Sequence, residues 1–66
     1  MEIFLNQVAL TIKDEASLLE LLADQKIKPE GIAIAINNRI IKRDLWSTTP
    51  LESGDKVTVI RATYGG

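Results

Sequence analysis

The sequence contains no cysteine and no histidine. Without cysteine there is no disulfide stapling and no thiol redox chemistry, and without either residue the usual Cys/His metal sites are excluded. The commonest general base is missing as well. No charge of one sign dominates: 8 Lys and Arg stand against 9 Asp and Glu, for a formal net charge of −1 and a pI near 5.2. That balance gives no long-range attraction to nucleic acid or to an anionic membrane, both of which favour a basic excess. Neither is expected as a partner. Long apolar runs are absent too. The longest, Ile32 to Ile36, falls far short of the ~20 residues a spanning helix needs. The opening stretch MEIFLNQ carries no basic region, no apolar run and no small-residue cleavage site, so it does not read as a signal peptide. A cytoplasmic location is the expectation.

What is present is an ordinary globular composition, 45% hydrophobic and 26% charged over 66 residues. A chain of that length makes one domain and buries only about 60% of the surface its unfolded form exposes. Residues 1–62 are expected to form that domain, and 63–66 a flexible C-terminal tail.

Met1 to Ile12 reads as a hairpin. Met1, Ile3 and Leu5 alternate with polar or opposite-facing residues, and Val8, Leu10 and Ile12 resume the alternation in the opposite phase. A two-residue turn at Asn6-Gln7 pairs Leu5 with Val8, Ile3 with Leu10 and Met1 with Ile12, so turn length and hydrophobic register agree. Gln is a poor second turn residue, which leaves a longer loop open. Ser17 and Glu20 then form a Ser-x-x-Glu capping box. Leu18, Leu21 and Leu22 follow at helical spacing. The pattern ends by Lys26, and Pro29 and Gly31 oppose continuation, so a helix of about ten residues is expected.

Ile32, Ile34 and Ile36 alternate with Ala33 and Ala35 as a strand. Asn37-Asn38 supplies a turn, and Arg39 to Lys42 returns as a short strand with charged ends suited to a sheet edge. Irregular chain follows through RDLWSTTPLESGD, with a turn at Gly54-Asp55. The last strand, Lys56 to Ala62, has apolar groups on both faces, as a central strand requires. A mixed sheet of four to five strands with one main helix packed on one face is the two-layer solution for this order. A hairpin first and a central strand last describe an α+β fold of the ubiquitin-like β-grasp type, although periodicity alone does not fix the strand order.

Candidate chemistry is sparse. Asp14 and Glu15 precede the helix, and Glu52 and Asp55 flank Gly54, all in cap or turn settings where carboxylates bind local amides. No catalytic residue and no metal ligand is expected, since no nucleophile–base or phosphate-loop pattern exists. Arg39, Lys42 and Arg43 form a small basic group, and Arg61 stands in the last strand. They read either as a solvated edge or as a docking patch for an acidic partner. Phe4 lies opposite the main apolar face of the hairpin and is a candidate partner contact. Trp46 is expected to cap the core from a loop with its indole N–H on an acceptor.

The sequence closes on RATYGG. Glycine at about 7% of residues ends about one chain in 200 on such a pair by chance, so the pair draws its weight from everything else. With no Cys or His, the α-carboxylate of Gly66 is the reactive group that remains. It is ionised at neutral pH and is a poor electrophile until a partner enzyme attaches a leaving group such as AMP. Glycine at 65 and 66 leaves the backbone unobstructed by a Cβ in a narrow active site. Thr63 to Gly66 span at most about 14 Å when extended, enough to thread into a cleft.

The stretches IAINNRIIKRDLW and TPLESGDKVTVIRATYGG, together with the total length, resemble the ThiS family, the sulfur carriers of thiamine (thiazole) biosynthesis among the ubiquitin-like β-grasp proteins. The resemblance covers nearly the whole chain. It implies a protein co-substrate and not an enzyme. A ThiF-type adenylating enzyme would use ATP to convert the Gly66 carboxylate into an acyl adenylate. Sulfur from a persulfide, supplied by a cysteine desulfurase or another donor, would then replace AMP. Thiazole synthase would consume the resulting thiocarboxylate. The resemblance places Gly65, Tyr64 and Thr63 in the tail that threads into partner sites, and it implies no cofactor bound by this chain. Tyr64 stands where an additional glycine is often found, and Asn38 where the turn often has glycine. Three other readings stay open: the small subunit of molybdopterin synthase, a ubiquitin-like protein modifier, and a passive β-grasp interaction module.

Overall fold

The computed structural model describes residues 1–61, and the expected tail at 63–66 lies outside the described residues. Five strands and one helix follow in the order β1 (Glu2–Leu5), β2 (Val8–Thr11), α1 (Leu18–Asp24), β3 (Ile32–Ile36), β4 (Arg39–Ile41) and β5 (Lys56–Arg61), with a short 3-10 turn at Arg43–Leu45 before β5. The strands form a single sheet in the order β2-β1-β5-β3-β4. The strand nearest the C-terminus therefore stands at the centre, parallel to β1 and antiparallel to β3.

The first hairpin has the register that its hydrophobic pattern demands, with Ile3 opposite Leu10 and Leu5 opposite Val8. Asn6 and Gln7 both take positive φ, 48° and 72°. Two left-handed residues make the tight turn that matches strand twist, so the two-residue loop holds despite glutamine. Val8 is the exception on this face. It stays exposed at the far end of the edge strand, while Ile12 at the other end is buried.

Helix α1 covers one face of the sheet with Leu18, Leu21 and Leu22. With Ile3, Ile34 and Val57 these are the largest fully buried side chains. Removing each from water contributes about 1.5–3 kcal/mol. Every buried residue among those described is hydrophobic.

The helix has seven residues, shorter than the spacing of its leucines suggests. It stops because Lys26 turns left-handed at φ 57°. The Ile27 amide then donates to Leu22 O at 2.9 Å and the Lys26 amide to Ala23 O at 3.1 Å. That paired arrangement is a Schellman ending, completed here by Ile27 packing on the core near Leu22.

The start of α1 explains the irregular segment after β4. A helix leaves its first amides without partners. Ser17 Oγ accepts from Glu20 N at 3.1 Å, and Glu20 Oε1 accepts from Ser17 N at 3.0 Å. The Leu18 and Leu19 amides donate instead to Thr49 O and Trp46 O, both at 3.0 Å. Trp46 is buried and its indole N–H donates to Ile41 O at 2.9 Å. It thus caps the core from a loop, as its place in the sequence suggests. The segment that looks structureless supplies two of the carbonyls the helix needs.

Candidate functional site

Strand β5 leads to the segment where the sequence places its chemistry. Val57 is fully buried and Val59 is half-buried against the core, while Thr58 and Ile60 point to the opposite face and are exposed. Pairing with β3 runs from Ile36 opposite Val57 to Ile32 opposite Arg61, all of β5 except Lys56. Pairing with β1 involves only Phe4 opposite Lys56 and Leu5 opposite Val57. Beyond that point the Asn6 side chain takes over, its Oδ1 accepting from the Val59 amide at 2.8 Å. Strand β5 is thus held on both sides as far as Val59. Thr63, Tyr64, Gly65 and Gly66 lie outside the described residues.

The other candidate residues divide between the two faces of the sheet. Phe4 alternates with buried Ile3, so it belongs to the face without the helix. It is half-buried there and lines an open groove of about 430 Å³ with Thr58, Lys56 and the two asparagine turns. Arg39 stands opposite Ile36 and Arg61 opposite Ile32. Strand alternation puts both on the helix side, where they are exposed at the sheet margin. Their partners are level with Val57 and with the end of β5, so a strand's length separates them. Lys42 follows Ile41, which is level with Val59 through Ile34. Lys42 therefore lies towards the Arg61 end. Arg43 sits in the 3-10 turn with its guanidinium 5.0 Å from the centre of the Trp46 ring, a cation–π contact. The five residues do not form one patch.

The helix-free face carries apolar residues that the sequence reading did not single out. Ile40 is 64% exposed and Ile60 47%. Ile40 stands opposite Ala35, which stands opposite Thr58, and Ile60 stands opposite Ala33. Small alanines on β3 between larger neighbours on β4 and β5 leave a shallow apolar floor. The alternation of Ile and Ala in β3 was the available signal.

The ThiS family model matches residues 1–66, the whole of this sequence. The chain belongs to the ThiS family. Sulfur carrier protein ThiS of Escherichia coli (strain K12) is 29% identical over 66 residues, covering 100% of each chain. The crystal structure of the thiamine biosynthesis protein ThiS from Geobacter metallireducens superimposes with a TM-score of 0.89 at 23% identity, covering 100% of both chains. A solution structure of a thiamine biosynthesis protein from the same organism gives a TM-score of 0.78 at 23% identity, covering 100% of this chain and 88% of that one. At that identity the structural likeness establishes the fold, a ThiS-type β-grasp with five strands and one helix.

Proposed function

We propose that this protein is a sulfur carrier for thiamine thiazole formation, acted on by partner enzymes and not itself an enzyme. A ThiF-type adenylating enzyme, which binds the ATP, joins AMP to the Gly66 carboxylate. The terminal sulfur of a persulfide on a cysteine desulfurase, or on another persulfide donor, attacks the acyl carbon and expels AMP. A thiol then cleaves the acyl disulfide so formed, keeping the donor's own sulfur in a new disulfide and leaving a thiocarboxylate. Thiazole synthase takes the sulfur from there. Gly65 gives the backbone clearance in the partner's cleft, while Tyr64 and Thr63 thread behind it. The helix-free face, with Phe4, Ile40 and Ile60, meets the partner, and Lys42 borders it with positive charge, while Arg61 stands on the helix side at the end of β5. Arg39 and Arg43 lie farther out and contribute through the general field.

The observation that supports this reading is the family match over residues 1–66, in a fold whose central strand leads into the diglycine end. The test is capture. The thiocarboxylate form of the chain, immobilised through an introduced surface tag, is offered thiazole synthase and, separately, the large subunit of molybdopterin synthase. Retention of thiazole synthase is the expected result. Retention of the molybdopterin subunit alone, or isopeptide adducts on lysines of other proteins, would overturn it.

A further inference from the structure

The two hairpin turns share one device. Each opens on an asparagine in the left-handed region, Asn6 at φ 48° and Asn37 at φ 50°. Each asparagine side chain accepts a hydrogen bond from an amide of β5. Asn37 Oδ1 takes the Lys56 amide at 3.0 Å, and its Nδ2 donates to Asp55 Oδ1 at 3.1 Å. Asn6 Oδ1 takes the Val59 amide at 2.8 Å.

The Asn6 bond replaces a missing rung. In a parallel ladder, a residue that donates to one carbonyl accepts from the amide two residues farther along the partner strand. Phe4 N donates to Asp55 O and Asn6 N to Val57 O, both at 2.9 Å. The next acceptor in the series would be the Asn6 carbonyl, for Val59. The chain turns at Asn6, and the side-chain oxygen takes the Val59 amide in its place. Glycine fits a left-handed turn with less strain, but it has no oxygen to offer.

We propose that Asn6 and Asn37 are positioning residues for the terminal segment: they lock β5 in register and so set how far the chain extends beyond the sheet into a partner's active site. This rests on the carrier reading above. Alternation of faces by itself does not fix the register. Val57 and Val59 are the same residue two positions apart, and a two-residue slip keeps each on its face. Such a slip changes the reach by about 7 Å, half of the about 14 Å that is the most any four residues cover when fully extended. Asp55 breaks the ambiguity. Its Oδ2 accepts from the Glu52 amide at 2.8 Å, which fixes the start of β5, and its Oδ1 is the atom that Asn37 binds.

The test uses Asn6→Gly and Asn37→Gly, which keep the turn backbone and delete the acceptor, and Asn6→Asp, which keeps an oxygen there. Residue-resolved amide exchange on the whole chain is combined with initial rates of pyrophosphate release by a ThiF-type adenylating enzyme at varied carrier concentration. Both glycine variants are expected to fold with an unchanged circular dichroism spectrum. Val59 in Asn6→Gly, and Lys56 in Asn37→Gly, exchange about fivefold faster, the size of one net hydrogen bond. KM for the carrier rises by a similar factor at unchanged kcat, because ordering the segment is a binding cost. Asn6→Asp restores both quantities. Undiminished Val59 protection in Asn6→Gly, an unchanged KM once protection is lost, or Asn6→Asp behaving like Asn6→Gly would overturn the proposal. An unfolded glycine variant would also count against it, since that assigns the side chain to stability alone. If the wild-type chain is not adenylated at all, the carrier reading fails, and the exchange data still decide whether the clamp exists.

Discussion

Six non-glycine residues take positive φ among the described residues, and they are not equivalent. Asn6, Asn37 and Asn38 sit in turns that asparagine tolerates, and their place was legible from the sequence because each lies between two alternating runs. Gln7, Glu15 and Lys26 have no such excuse in their side chains, and nothing in their identity announced a left-handed backbone. Lys26 shows the cost best, because it closes α1 in the position where glycine is usual. The left-handed region is unfavourable for a residue with a Cβ by about 1 kcal/mol or more. Lys26→Gly is therefore expected to stabilise the domain by about 1 kcal/mol, after allowing for the freedom glycine regains on unfolding. The urea midpoint measures it, and a midpoint that falls would show that the lysine side chain contributes more than its backbone costs. Trp46 was legible for a different reason. A lone indole in a polar stretch has few places to go other than over the core, with its N–H on a carbonyl.

At the scale of elements, α1 owes its start to distant parts of the chain. Seven residues are too few for an independent helix. The Ser17–Glu20 capping box was readable as Ser-x-x-Glu, whereas the carbonyls of Trp46 and Thr49 were not, because they reach Leu19 and Leu18 from a remote loop. Glu20 also pairs with Lys13, Nζ to Oε2 at 2.6 Å. The hydrogen bond from Lys13, then that from the Ser17 amide, lowers the Glu20 carboxyl from 4.5 to about 2. Bonding and attraction to Glu20 raise the Lys13 ammonium above its ordinary value. The signs follow. The Glu20 contribution is complete above its unfolded value and disappears as pH falls towards 2. That of Lys13 is complete below its unfolded value and disappears as pH rises through its raised one. Both side chains are solvated, so the contribution is small. Comparing wild type with Glu20→Gln by urea unfolding across pH, the stability difference is expected to be flat from mildly acid to neutral conditions and to shrink between pH 4.5 and 2. A difference that stays constant through that window would show that the pair contributes nothing.

For the molecule as a whole, the alternating strands, both turns and the register of the first hairpin were available from spacing. The order β2-β1-β5-β3-β4 was not, because period-2 patterning says which face a residue takes and nothing about which strand it lies beside. The β-grasp likeness supplied that order. The same limit explains the candidate surface. Phe4 was correctly placed on the face opposite the core, but grouping it with Arg39, Lys42, Arg43 and Arg61 joined residues from two faces and both ends of the sheet. Ile40 and Ile60, exposed beside the alanines of β3, only become neighbours of the helix-free face once β4 and β5 flank β3.

The central claim is that the acyl group of Gly66 is the working part of the molecule and the globule its holder. Intact-mass measurement tests it most directly, after incubation with a ThiF-type adenylating enzyme, ATP, a persulfide sulfur source and a thiol reductant. The chain is expected to gain the mass difference between one sulfur and one oxygen. The variant lacking Gly66 should gain nothing while keeping the wild-type urea midpoint, since chain ends contribute little burial. A wild-type chain that keeps its original mass while the adenylating enzyme is shown to be active, or a variant without Gly66 that still gains sulfur, would contradict the account.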